Sequence, residues 1–220
     1  MNISVVGSGK LASEILANLN GEHIEKVYRW QGTASIRPDD TFVVHAGSGR
    51  ELEAVFDYCA KNKTPLVELA TGTNPAPSGP AFPVVVCPNA NMLMLRFMAM
   101  VRHAGEGFKM YEREILESHQ AVKKTEAGTA RVLAKSLGID VAAIDSIRDP
   151  EIQERSLGIP PDQLQRHALH RIQIWDGPVS ITLESKVLGR APYASGLAEI
   201  LRILGAAKLE PGVYDILDFL

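Results

Sequence analysis

Short apolar runs alternate with helically spaced ones from the start of the chain to about residue 90. Ile3 to Val6 reads as a strand, Leu11 to Leu19 as a helix, and Lys26 to Trp30 and Thr41 to His45 as strands. Glu51 to Lys61 follows as a helix, then Pro65 to Leu69 and Pro83 to Cys87 as two further apolar runs of strand length. Strands that alternate with helices of this size predict right-handed βαβ crossovers and a parallel sheet covered on both faces. The stretch from Thr73 to Pro83 holds four prolines and reads as a loop, because the strand pattern resumes directly after it.

Beyond Asn89 the texture changes. Met92 to Met100 is an apolar helical stretch with four methionines, which suit a core or a subunit interface. Strands are predicted at Met110 to Glu117, His170 to Trp175 and Val179 to Val187, with a helix from Thr129 to Leu137. Asp176-Gly177 between the last two strands is a hairpin dipeptide, so this second sheet is mixed or antiparallel. The fold class is therefore α/β: a Rossmann-type parallel sheet plus a second, α+β domain. A boundary is placed near residue 90.

Composition narrows the function classes. With 23 Lys and Arg against 26 Asp and Glu, a net charge of −3 and no basic block, the chain lacks the electrostatic footprint of a general nucleic-acid binder. No run approaches the roughly 18 apolar residues of a membrane span, and MNISVVG is not a secretory leader, so a cytoplasmic protein is expected. Cys59 and Cys87 lack any metal or disulfide spacing and read as small buried hydrophobes. His167 and His170 lie three apart, on one face if helical, but no third ligand accompanies them, and no metal is expected.

The segment Gly7-Ser8-Gly9-Lys10-Leu11-Ala12 follows the first strand and opens the first helix, matching the dinucleotide pattern G-x-G-x-x-G/A. Gly7 permits the tight turn, Gly9 lets a pyrophosphate approach the backbone, and Ala12 lets the helix lie close to the sheet. A plain glycine turn is the simpler alternative. Where an acidic residue would hold the 2′-hydroxyl of NAD, the chain has Tyr28-Arg29-Trp30. Arg29, helped by Lys10, suits the 2′-phosphate of NADP, with Tyr28 or Trp30 stacking on adenine; otherwise Arg29 is a solvated charge.

A polar constellation follows residue 110. The strand ending near Glu117 delivers His119, Gln120, Lys123 and Lys124, and Gly128-Thr129-Ala130 opens a helix whose N-terminus offers a carboxylate site. An imidazole with a reference pKa of about 6.5 suits a proton donor to a substrate that has accepted hydride. The plainer reading is a surface histidine and a solvated lysine pair.

Glu117-x-His119-x-x-x-Lys123 followed by Gly128-Thr129-Ala130 resembles the E-x-H-H-x-x-K-x-D-x-P-S-G-T-A signature of dihydrodipicolinate reductases. Pro88-Asn89 resembles that family's P-N-x-S hinge, and Ala70-Thr71-Gly72 its T-T-G turn. Lys186-x-x-x-Arg190-x-x-Tyr193-Ala194-x-Gly196 resembles a K-A-x-S-R-x-x-F-A-x-G segment, and Gly212-Val213-Tyr214-Asp215 also fits.

The resemblance implies a dinucleotide-binding domain from residues 1–90 with 193–220, and a substrate-binding, oligomer-forming domain from residues 91–192. It implies hydride transfer from NADPH, or NADH, to a small cyclic unsaturated dicarboxylate in lysine and diaminopimelate biosynthesis, by a homotetramer. His119 would be the proton donor or acceptor and Lys123 a second donor, while Gln120, Gly128 and Thr129 would contact substrate. Gly7, Gly9, Lys10, Leu11 and Arg29 would hold the cofactor, together with Ala70, Thr71, Gly72, Asn89 and Arg190. The tetramer would use the sheet of the second domain, where Ile172, Ile174, Val179, Ile181 and Leu183 offer apolar faces; one face of an ordinary core is the simpler reading.

The chain departs from the pattern at Gln120 (His in the family), Thr125 (Asp) and Ala127 (Ser), at His45-Ala46-Gly47-Ser48 (D-F-T-S) and at Leu69 (Gly). These departures imply a divergent reductase, with two alternatives: a reductase of a different cyclic imine or carbonyl carboxylate, or a nucleotide-binding regulatory protein without catalysis.

Overall fold

The computed structural model describes residues 1–32, 41–70, 79–121, 128–189 and 191–220. In chain order its elements are β1 (Asn2–Val6), α1 (Lys10–Asn18), β2 (Lys26–Arg29), β3 (Phe42–His45), α2 (Leu52–Asn62), β4 (Leu66–Glu68) and β5 (Pro83–Val86). There follow α3 (Met92–Ala104), β6 (Glu112–His119), α4 (Gly128–Leu137), β7 (Asp145–Ile147), α5 (Pro150–Arg155), β8 (Ala168–Asp176), β9 (Val179–Val187), α6 (Ala194–Ala206) and β10 (Gly212–Asp215). The chain divides into two compact units, Met1–Leu95 with Tyr193–Leu220, and Arg96–Pro192. No described helix is long and apolar enough to cross a membrane.

In the first unit, six strands pair in the order β10-β5-β4-β3-β1-β2, all parallel. The central strands are near-continuous apolar runs because both faces are covered: Ile3, Val5, Val43, Val44, Leu66 and Val67 are all fully buried. Under α2, Val55, Tyr58 and Cys59 close on Val43, Leu66 and Val84. Glu14 of α1 accepts the backbone N–H groups of Tyr193 and Ala194 at 2.7 and 3.2 Å, which caps the start of α6 with a carboxylate. The chain steps from β1 outward to β2, then to β3 on the opposite side of β1. The carboxyl ends of β1 and β3 therefore flank the topological switch point, where open α/β sheets take their ligands.

The second unit is a mixed sheet, β7-β6-β8-β9, with β7 parallel to β6 and the other pairs antiparallel. Its core rests on Ile115, Ile172 and Ile174 together with Leu133, Ala134 and Leu137 of α4, while Leu169 packs with Leu157 and Ile159 in a separate cluster. The hairpin loop is Gly177-Pro178, one residue later than the Asp176-Gly177 reading. Asp176 still pairs with Val179, and Gly177 alone takes the positive φ, +55°, as a loop with glycine first and proline second requires. Of the apolar residues assigned to this sheet, Ile172 and Ile174 are core, whereas Val179 and Ile181 on the edge strand β9 are 64% and 44% exposed.

The strand predicted from Met110 begins at Glu112, because Met110 and Tyr111 belong to a solvent-facing turn. It continues two residues past Glu117, and that extension decides the chemistry of the site.

Candidate functional site

The first candidate region lies at the carboxyl ends of β1 to β4. Gly7 has φ +122°, and a Cβ there would lie 2.7 Å from the carbonyl oxygen of Ala46 and 2.9 Å from Cα of Gly47. The turn thus presses directly on the exit of β3. Gly9, which opens α1, is its opposite: its φ is ordinary, and a Cβ there would meet nothing within 4 Å. No side chain caps α1 and no acid stands in its first turn, so no carboxylate there offsets the positive end of the helix dipole. Ala12 is fully buried, which lets the helix lie close. Lys10 is exposed and Leu11 partly buried. Arg29, the last residue of β2, donates from Nη1 to the Gly7 carbonyl at 3.1 Å. Trp30 sits edge-on to Tyr58, with ring centroids 5.7 Å apart, and packs against the core under α2.

Sequence reasoning missed a buried pair beside this turn. His45 at the end of β3 contacts both carboxylate oxygens of Glu68 at the end of β4, from Nδ1 at 2.7 and 2.8 Å, and the backbone N–H of Ala70 donates to Glu68 Oε1 at 2.7 Å. The signal was available: a polar residue closes each of two otherwise apolar strands, and such a residue is buried with its strand. Asn89 turns the chain after β5, its side-chain oxygen accepting from the N–H of Asn91 at 2.8 Å. Asn91 in turn accepts from Met94 at 3.1 Å and starts α3.

The second candidate region is built on β6, where Glu117, Ser118 and His119 are buried within the ladder, not exposed beyond its end. Strand alternation puts Glu117 and His119 on one face and Ser118 on the other. Glu117 Oε2 accepts from Nδ1 of His119 at 2.5 Å. Glu117 Oε1 accepts from Ser146 Oγ at 2.7 Å and from Arg148 Nη2 at 2.5 Å. Burial by itself would raise the Glu117 carboxyl, but hydrogen bonds from His119, Arg148 and Ser146 outweigh it and hold the group at about 2. The His170 ring stands edge-on to His119, centroids 5.5 Å apart. Gln153 of α5 donates its side-chain amide to the carbonyls of His119 at 2.7 Å and Ile147 at 3.1 Å, fixing the strand end from behind.

On the opposite face, His167 Nε2 lies 2.9 Å from Ser118 Oγ, and its Nδ1 lies 3.1 Å from the Leu164 carbonyl. Burial pulls the His167 pKa down, which keeps the ring neutral and able to accept from the serine. His170 lies within β8 and His167 just before it, so the spacing of three does not place them on a helix face. Among the described residues no three His, Cys, Asp or Glu side chains gather as a metal site.

Of the residues singled out from sequence, the structure gathers Gly7, Gly9, Lys10, Leu11 and Arg29 at the switch point, with Ala70 beyond β4. It sets His119 beside Glu117, with Gln120 next in the chain, and starts α4 at Gly128 with Thr129 buried. Thr71, Gly72, Lys123 and Arg190 lie outside the described residues, as do Lys124, Thr125 and Ala127.

No protein-family model matches the chain. Over 150 residues it is 31% identical to 4-hydroxy-tetrahydrodipicolinate reductase 2, chloroplastic, of Arabidopsis thaliana, a match that takes in 62% of this chain and 43% of that protein. It is 30% identical over 151 residues to the probable 4-hydroxy-tetrahydrodipicolinate reductase 1, chloroplastic, of Oryza sativa subsp. japonica, covering 62% and 44%. The matches thus span less than half the length of these relatives. Among solved structures, the dipicolinate-bound dihydrodipicolinate reductase from Paenisporosarcina sp. TG-14 superposes with a TM-score of 0.71 at 16% identity, covering 100% of this chain and 99% of that one. Aspartate semialdehyde dehydrogenase II from Vibrio cholerae superposes at 0.53 with 10% identity, covering 91% and 98%.

Proposed function

We propose that this chain, a divergent relative of the 4-hydroxy-tetrahydrodipicolinate reductases, is an NAD(P)H-dependent reductase of a small cyclic unsaturated dicarboxylate in lysine and diaminopimelate biosynthesis. The residues of the first unit fit a dinucleotide: a turn that admits only glycine at position 7, an open side at Gly9, an uncapped helix start and a guanidinium beside them. Gly7, Gly9, Lys10, Leu11 and Arg29 would hold its phosphates, with Ala70, Thr71, Gly72, Asn89 and Arg190 completing the site. Arg29 favours NADPH over NADH, because a guanidinium gains most from the extra 2′-phosphate. When bound, the cofactor supplies a hydride.

The chain's own residues do the rest. Hydride arriving at one carbon of a conjugated imine leaves negative charge on its neighbour, and a donor held in place lowers the barrier where that charge develops. His119 is that donor, giving up a proton as charge builds, and Lys123 contributes a second one. Gly128 and Thr129 at the start of α4, with Gln120, would take a substrate carboxylate. The observation that carries this reading is the buried Glu117–His119 pair. A carboxylate fixed on Nδ1 steadies the imidazolium before the proton leaves, as an acid-base histidine requires. A cytoplasmic homotetramer belongs to the same proposal, and the exposed Val179 and Ile181 on β9 supply apolar surface for subunit contact.

Gln120 and Ala127, standing where the family has His and Ser, favour one variation: a reductase of a different cyclic imine or carbonyl carboxylate that keeps the donor pair. The experiment is NADPH oxidation by purified protein on enzymically generated 4-hydroxy-tetrahydrodipicolinate and on a panel of other cyclic imine carboxylates. Turnover on the first supports the main reading, turnover only elsewhere supports the variation, and binding of NADPH with no turnover on any substrate contradicts both.

A further inference from the structure

Glu117 has no exposed surface and no unused side of its carboxylate, since one oxygen faces His119 while the other takes both Ser146 and Arg148. Two donors come from β7 and the residue after it, and the third from two residues along the same strand, so the β6–β7 register sets the arrangement. Among the described residues, several titratable groups stand near this pair. His170 on β8 meets the His119 ring edge-on, His167 lies on the other face of the sheet against Ser118, and α5 contributes the neutral amide of Gln153 to the His119 carbonyl. Arg148 is the cation that shares the Glu117 carboxylate with His119.

We propose that Glu117 is a positioning residue that fixes neutral His119 as the Nδ1–H tautomer, presenting Nε2 for proton transfer, and that Arg148 and Ser146 set how strongly this carboxylate holds the imidazolium. This rests on the reading of His119 as the proton donor for its consequence in catalysis, but not for its structural content. A neutral imidazole in water carries its proton mostly on Nε2, so the predicted tautomer is the one a solvated histidine would not choose. Because the hydrogen bonds keep Glu117 ionised down to about pH 2, its charge is constant wherever the protein works. Arg148, on the other oxygen, draws on the same carboxylate charge and so weakens its pull on the His119 proton. Removing the guanidinium frees the carboxylate for the imidazolium, whereas removing the carboxylate frees the imidazolium of its partner.

The two substitutions therefore act in opposite directions, and the tautomer separates a hydrogen-bonded positioning role from the Coulomb effect that any ion pair beside His119 would have. The test is a long-range 1H–15N spectrum of histidine-labelled protein across pH, with His119→Gln for assignment. Wild type is expected to show neutral His119 protonated on Nδ1. Glu117→Gln should lower its titration midpoint by about one unit or more and populate the Nε2–H form. Arg148→Gln should raise the midpoint, and Ser146→Ala should raise it by less. If Glu117→Gln fails to fold, the wild-type tautomer and the upward shifts in the other two variants still decide the matter. A wild-type Nε2–H tautomer, or midpoints that stay put or move down in Arg148→Gln, would overturn the proposal. The acidic pKa governing kcat should follow the same shifts with the KM for NADPH unchanged. Spectra that behave as expected beside an absence of turnover would refute the reductase reading alone.

Discussion

Arg29 reaches back from the end of β2 to the Gly7 carbonyl, 3.1 Å from its Nη1, so one guanidinium belongs both to the second strand and to the turn after the first. An ordinary NAD site places a carboxylate near this point to accept the ribose hydroxyls. Arg29 leaves its remaining N–H groups exposed at the rim of the turn, where a doubly charged 2′-phosphate would gain most. Arg29→Ala is expected to weaken NADPH roughly tenfold or more and NADH by far less, measured by quenching or enhancement of the bound dinucleotide's fluorescence. Equal effects on the two would remove Arg29 from cofactor choice.

Gly7 and Gly9 separate the fold from the ligand. Gly7→Ala forces a side chain into the Ala46 backbone at a φ that L residues avoid, and should cost about 2 kcal/mol or more of stability. Gly9→Ala meets nothing in the protein itself, so its melting temperature should hold within a degree or two while NADPH binding falls, since the new methyl occupies the side left open for phosphate. Thermal melts with and without NADPH read both.

Much of this fold was legible because its signals are local. Apolar strands, helical spacing and the glycine pattern each sit within about a dozen residues, and they gave the parallel sheet and its first turn. What escaped was either short or long-range. β7 is three mostly exposed residues with no apolar rhythm. α5 has six residues, although Asp149-Pro150 did announce it: Asp149 accepts from the N–H groups of Glu151 and Ile152. Arg148 and Ser146 were invisible as partners of Glu117, because some thirty residues intervene and only the β6–β7 register brings them together. The burial of His119 was missed for a related reason. Ser118 and His119 look like a strand end, yet they pair with Leu169 and Ala168 inside the ladder.

Acid stability should report the Glu117 cluster. Its carboxyl is held at about 2 when folded, against an ordinary value near 4.5. The stability it lends is therefore complete above about pH 4.5 and is lost as pH falls toward 2. The shift corresponds to something on the order of 3 kcal/mol. Chemical denaturation between pH 5 and pH 2 should show that loss in wild type and a flatter profile in Glu117→Gln. Parallel profiles would mean that Glu117 is not ionised against its three donors.

The role given to His119 is tested most directly by pre-steady-state NADPH oxidation in the wild type, His119→Gln and Lys123→Ala, on the substrate that the wild type turns over. Each variant is expected to slow the hydride-coupled step by about a hundredfold or more while NADPH affinity stays within about a factor of two. Wild-type rates in both variants would contradict it.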